Sequence, residues 1–165
     1  MKMSLLILIL TSCFLVSFSQ TSNYGDKYEF LRLLNDYRSS KGLNQLKYDE
    51  TLEKAAKLQC DYNYLQHNEG GHNNSNPNYT TPYNRVYKVG YIPNNAYPNY
   101  VCKENCVVYL NVANHRLNSI EKNILESYKS SNSHNLAMLR ENIENFGYFT
   151  IYDGKDVYNV ILMAN

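Results

Sequence analysis

The sequence predicts an α+β domain in which helices cover both faces of a central antiparallel sheet, and two observations carry this. Apolar residues recur with helical period in several runs, each opened by a capping residue. Towards the C-terminus the period changes. Tyr148 to Tyr152 and Val157 to Met163 are rich in β-branched and aromatic residues and flank the turn dipeptide Asp153-Gly154, which predicts a hairpin. Its second strand contains Val160-Ile161-Leu162-Met163, apolar on both faces, so it requires cover on both sides.

The first nineteen residues carry one positive charge, Lys2, then the run Leu5-Leu6-Ile7-Leu8-Ile9-Leu10, and end in the small residues Ser17 and Ser19. This predicts a signal peptide over 1–19 and a mature chain from Gln20, one domain of 165 − 19 = 146 residues spanning 20–165. Acylation of Cys13 in Leu10-Thr11-Ser12-Cys13 is the weaker reading, because apolar Phe14 to Phe18 would follow where a lipoprotein has a polar tether. No later segment approaches the roughly 18 apolar residues of a spanning helix. The expected location is secreted, periplasmic or extracellular.

Asp26 with Glu29 opens the first helix, in which Phe30, Leu33, Leu34 and Tyr37 share a face and which Gly42 ends. Asp49 caps a second, with Leu52, Ala55, Ala56 and Gln59 on one face. His67 to Thr81 is Asn, Gly, Ser and Pro with almost no aliphatic residue, hence a loop. Thr81-Pro82 starts a helix of about two turns closed by Gly90, and Tyr91 to Tyr100 is again loop. Val107 to Leu110 suits a strand. Ser119 opens a helix with Ile120, Ile124 and Tyr128 in one row, broken at Ser130 to Ser133.

Removing Lys2 from the 16 basic residues leaves 15 against 15 acidic ones, a net charge of zero. Nucleic acid is therefore not an expected partner, since affinity for phosphate polymers comes mainly from Lys and Arg displacing counterions. The 17 Tyr and the absence of Trp suit a small domain with a polar, hydrogen-bonding surface. Cys60, Cys102 and Cys106 remain after cleavage, an odd number for an oxidising compartment. Any of the three pairings leaves one thiol; Cys102 with Cys106 would close a short loop, and Cys60 would then be buried in its helix.

Leu34-Asn35-Asp36-Tyr37-Arg38, with Gly42, Leu46 and Leu52-Glu53-Lys54-Ala55-Ala56 following, resembles the first signature of the CAP (SCP-like) superfamily of cysteine-rich secretory, antigen 5 and pathogenesis-related proteins. Gly71-His72 with Arg85 and Gly90-Tyr91 is similar to its histidine loop, and Glu104-Asn105 to its Glu-Asn signature. Tyr128, six positions before His134, with Phe146-Gly147-Tyr148 after it, resembles the bacterial form of the last motif. The resemblance implies a three-layer α-β-α sandwich with a large cleft. Three departures stand out: Tyr128 replaces the usual Trp, Cys106 replaces an aliphatic residue, and Ser131 stands where eukaryotic members carry a second acid. Glu126 is near but off the motif, and a longer gap points to an insertion around Tyr109 to Leu117.

Two neutral imidazoles and a carboxylate are a donor set that zinc sites use. The resemblance implies a divalent cation, Zn2+ or another, at His72 and His134, with Glu104 as an orienting group or third ligand. No catalytic residue is assigned; Glu104 is the candidate base. His67 competes with His72 but suits the exposed end of the second helix, and His115 has no acidic neighbour at ligand spacing. Arg85 reads as a structural salt-bridge or helix-end residue, and Asn35 and Arg38, placed on the polar side of the first helix, as ties to a loop. Asn73-Asn74-Ser75 and Asn78-Tyr79-Thr80 are glycosylation acceptors if the source is eukaryotic.

The expected function is non-enzymatic binding of an extracellular ligand or protein. The alternatives are a metal-assisted hydrolase of peptide or cell-wall material and lipid or sterol carriage.

Overall fold

The computed structural model describes residues 24–67, 71–93, 101–109 and 119–165. The Asp26 carboxylate accepts from the backbone N–H groups of Tyr28 and Glu29 and starts α1, Lys27–Ser39. Then come β1, Lys47–Tyr48, and α2, Glu50–Leu65, whose first turn is capped by Asp49 through Thr51 and Leu52. Helix α3, Pro82–Lys88, has Thr81 as cap and proline at its first position. The remaining elements are β2, Cys102–Tyr109; α4, Ile120–Ser130; α5, Asn132–Met138; β3, Asn145–Tyr152; and β4, Val157–Ala164.

The sheet runs β1-β3-β4-β2, with β3/β4 and β4/β2 antiparallel. Side-chain alternation assigns each face. Phe146, Tyr148, Val157, Ile161 and Met163 meet Phe30 and Leu34 of α1, Ile124 and Tyr128 of α4 and Met138 of α5. Phe149, Ile151, Tyr158, Val160 and Leu162 meet Leu52, Ala55, Ala56 and Cys60 of α2 and Val86 of α3. Every residue of β4 is buried, as cover on both faces requires. The domain is thus the expected α-β-α sandwich. Close approach of α2 depends on Gly147, where a Cβ would lie 2.3 Å from the backbone of Leu52 and Glu53.

Five details depart from the sequence expectations. The sheet is mixed, because two-residue β1 runs parallel to β3 with Lys47 opposite Asn145, too short a segment to show a period. Strand β2 begins at Cys102, well before Val107; its inward Glu104 is a charged residue, buried through a partner distant in sequence. The helix from Ser119 is not broken over the whole of Ser130 to Ser133: the break falls at Ser131 alone and separates α4 from α5, which carries Ser133 and His134.

Arg38 is fully buried instead of lying on a polar side, and its guanidinium donates to the carbonyls of Asn44, Met138 and Arg140 and to Asn44 Oδ1. Burial lowers its pKa. It does tie α1 to other segments, as does Asn35, which exchanges two hydrogen bonds with the backbone of Leu46.

Finally, Cys102 and Cys106 lie four residues apart on one extended strand, roughly 13 Å by strand rise, against a limit of about 7 Å between the Cα atoms of a disulfide. Cys60, Cys102 and Cys106 are all buried and none is in a disulfide. Among the described residues no helix is long and apolar enough to cross a membrane. The expected signal peptide, most of the 91–100 loop, most of the expected insertion and His115 lie outside the described residues.

A candidate cation-binding cleft

The candidate site lies at β2, an edge strand of the sheet, where the loop between α2 and α3 contributes His72 and α5 contributes His134. Glu104 projects from β2 towards α3 because alternation along Cys102, Glu104 and Cys106 puts all three on the α2/α3 face, opposite in register Ala164, Leu162 and Val160. There Arg85 of α3 meets it. One guanidinium nitrogen, Nη2, donates to both carboxylate oxygens at 2.6 and 2.5 Å, with the two side chains 0% and 1% accessible. A buried carboxylate without such a partner is costly, so the pairing accounts for a charged residue inside a strand.

The histidine loop is fixed by its backbone. Gln59 of α2, itself buried, donates from Nε2 to the carbonyls of Gly71 and Asn73, on either side of His72. Arg85 donates to the carbonyls of His72 (3.3 Å) and Tyr79 (2.7 Å). His72 Nδ1 comes to lie 3.1 Å from Glu104 Oε1, its side chain 43% accessible.

On the other layer, Asn105 of β2 donates from Nδ2 to the carbonyl of His134. The Tyr128 ring supports the His134 imidazole edge to face at 5.3 Å between centroids. The Tyr128 hydroxyl donates to Asn159 Oδ1 at 2.6 Å and lies 3.1 Å from the Asn105 carbonyl. Tyr at this position therefore still has a buried hydrogen-bonding role. Burial first, and the neighbouring His72 second, lower the pKa of His134, which favours its neutral imidazole.

The structure thus places His72 beside both Glu104, at 3.1 Å, and His134, the two rings 6.0 Å apart between centroids. It leaves out His67, exposed just past α2, with Nδ1 3.4 Å from the Tyr158 hydroxyl. Glu126 pairs with Lys129 on the exposed side of α4, so it does not stand in for the second acid. The residue that sequence reading missed is Cys106, whose Sγ lies 3.5 Å from His72 Nδ1 and 3.7 Å from Glu104 Oε1. The signal was available: position 106 is two after Glu104, hence on the same face of any strand. Burial raises the Cys106 thiol pKa well above its ordinary value, with Glu104 next, so it is a neutral thiol and not a ready nucleophile.

An α-β-α sandwich with one histidine from the α2–α3 loop and one from α5 beside an edge strand defines the class of protein. The Cysteine-rich secretory protein (CAP) family model matches residues 31–165, and the chain belongs to that family. Similar solved structures include an outer surface protein of Borrelia burgdorferi, 19% identical, TM-score 0.66, covering 88% of this chain and 98% of that one. An extracellular SCP-domain protein of Bacillus anthracis is 18% identical at TM-score 0.60, covering 81% of this chain and 39% of its own. A cysteine-rich secretory protein of Staphylococcus aureus is 15% identical at TM-score 0.52, covering 82% and 37%. At these identities the likeness concerns the fold. No curated protein matches the chain.

Proposed function

We propose that the chain is secreted after loss of residues 1–19 and acts outside the cell as a non-enzymatic binding protein. Its cleft takes up a divalent cation, Zn2+ in the first instance, between His72 and His134, with Glu104 as orienting group or third ligand. The observation that carries this reading is a pair of imidazoles 6.0 Å apart between centroids, each with its backbone tethered, one of them 3.1 Å from a buried carboxylate. Two imidazoles on one tetrahedral ion have centroids about 5 Å apart. The 6.0 Å here is within reach of a small ring movement.

A bound cation supplies a Lewis-acidic anchor for an anionic or carbonyl group of the extracellular ligand or protein partner. The chain's own residues hold that anchor still: Arg85 holds Glu104, Glu104 faces His72 Nδ1, and Tyr128 packs against His134. Both Glu104 oxygens accept from Arg85, which fixes the carboxylate facing His72 as an orienting group or ligand. The apolar signal at the N-terminus supports secretion, as do the descriptions of the Bacillus protein as extracellular and of the Borrelia protein as an outer surface protein.

Titration with Zn2+ by calorimetry is expected to show one weak site that disappears in a His72→Ala, His134→Ala double variant of unchanged fold. Binding that survives the double substitution removes the assignment. Turnover of peptide or cell-wall material, abolished by Glu104→Gln in a folded protein, would replace the binding reading with the hydrolase.

A further inference from the structure

We propose that Cys106 supplies a sulfur ligand to the cation held in this cleft, so that the site selects a thiophilic divalent ion of the zinc, cobalt and cadmium kind over Mg2+ or Ca2+. The inference rests on the cation reading of the cleft and specifies which ion that cleft takes. Among the described residues, His72, Glu104 and Cys106 form a group whose ligand atoms all lie within 4.8 Å of one another.

The separations within that group are specific. His72 Nδ1 to Glu104 Oε1 is 3.1 Å, His72 Nδ1 to Cys106 Sγ is 3.5 Å, and Cys106 Sγ to Glu104 Oε1 is 3.7 Å. Nitrogen and oxygen donors bind Zn2+ at about 2.0 to 2.2 Å and thiolate sulfur at about 2.3 Å, so two donors on a tetrahedral ion lie about 3.3 to 3.6 Å apart. The three edges bracket those of one tetrahedral face, and His134 is the nearby imidazole for the remaining position.

Cys60 shows what a purely structural buried thiol looks like in this fold. Its S–H donates to the Tyr158 carbonyl at 3.3 Å from within the α2 packing surface. Cys106 instead has an imidazole nitrogen and a carboxylate oxygen as its polar neighbours. Charge also favours sulfur here. Arg85 already neutralises Glu104, so a dication on neutral donors would leave two uncompensated positive charges in a buried site, and a thiolate reduces that to one. On binding, the S–H bond breaks, its proton passes to solvent, and the sulfur lone pair forms the bond to the ion. Thiolate selects against Mg2+ and Ca2+, which take oxygen donors.

The test is titration of the reduced protein with Co2+, followed by near-ultraviolet absorbance. One equivalent should develop a thiolate-to-cobalt charge-transfer band that excess Mg2+ does not remove. In Cys106→Ser the band should be absent and Co2+ binding more than about a hundred-fold weaker, beyond the roughly 10–100-fold effect of losing an outer-shell partner. The wild-type band is informative even if the variant folds poorly. Saturable Co2+ binding without a sulfur band, or displacement by Mg2+, overturns the role of Cys106 and leaves the two-histidine site standing. Absence of any Co2+ binding overturns both.

Discussion

Replacing Arg85 by Met tests whether the cleft is organised by a buried ion pair. The two side chains are 0% and 1% accessible, so removing the guanidinium strands a carboxylate with no route to water. Breaking such a pair costs about 3 to 5 kcal/mol, and this overlaps with the loss of two charge-assisted hydrogen bonds to the carbonyls of Tyr79 and His72, each about 1.5 to 3 kcal/mol by itself. A loss of about 4 kcal/mol in a domain of this size lowers Tm by roughly 10 °C. Urea unfolding should show a reduced midpoint at unchanged slope.

The discriminating variant is the double one. Arg85→Met with Glu104→Leu removes both charges, and an apolar pair of similar volume is often neutral or stabilising relative to a buried ion pair. The double variant should therefore be at least about 2 kcal/mol more stable than Arg85→Met alone, a coupling that a double-mutant cycle reads directly. If Arg85→Met costs under about 1 kcal/mol, or if the two substitutions destabilise additively, the carboxylate is not buried and paired as described.

Three further outcomes follow from the packing. Gly147→Ala puts a methyl group 2.3 Å from the α2 backbone and should destabilise by several kcal/mol; a soluble variant with wild-type Tm would contradict the close approach of α2 to β3. Tyr128→Phe leaves the ring but removes the donor to buried Asn159, with an expected loss of about 1 to 3 kcal/mol by thermal unfolding, and no loss would mean that Asn159 has another donor.

Burial, the leading cause for each, pushes the Tyr91 and Tyr48 hydroxyls up to about 12. Between pH 10 and 12 the folded state then binds more protons than the unfolded state, so stability should fall as pH rises through that window, while the buried phenols resist ionisation until unfolding. Spectrophotometric titration in which every tyrosine ionises near pH 10 in the native protein would refute this.

Much of the fold was legible because local chemistry and tertiary structure agree. Asp26, Asp49 and Thr81 each accept a hydrogen bond from the first turn of the helix they were expected to cap. The apolar run in β4 demanded two covered faces and has them. What escaped notice depends on partners far along the chain. The serine cluster before His134 signals an interruption, yet α5 follows at once, and the carbonyls of Met138 at its end and Arg140 just beyond are held by Arg38, a hundred or more residues away.

The site was read in the same proportion. His72, Glu104 and His134 stood out as separate motifs, and Arg85 as a salt-bridge residue, whereas Cys106 registered only as a departure from a pattern. Its closeness to His72 arises because α2, through Gln59, holds the loop against β2, a long-range contact with no local sequence signal.

X-ray absorption at the zinc edge, on protein loaded with one equivalent of Zn2+, tests the cleft most directly. Two histidines on one ion require the outer-shell scattering of two imidazole rings around a four-coordinate zinc. Zinc retained in an all-oxygen shell, with no imidazole scattering, would contradict the assignment of His72 and His134.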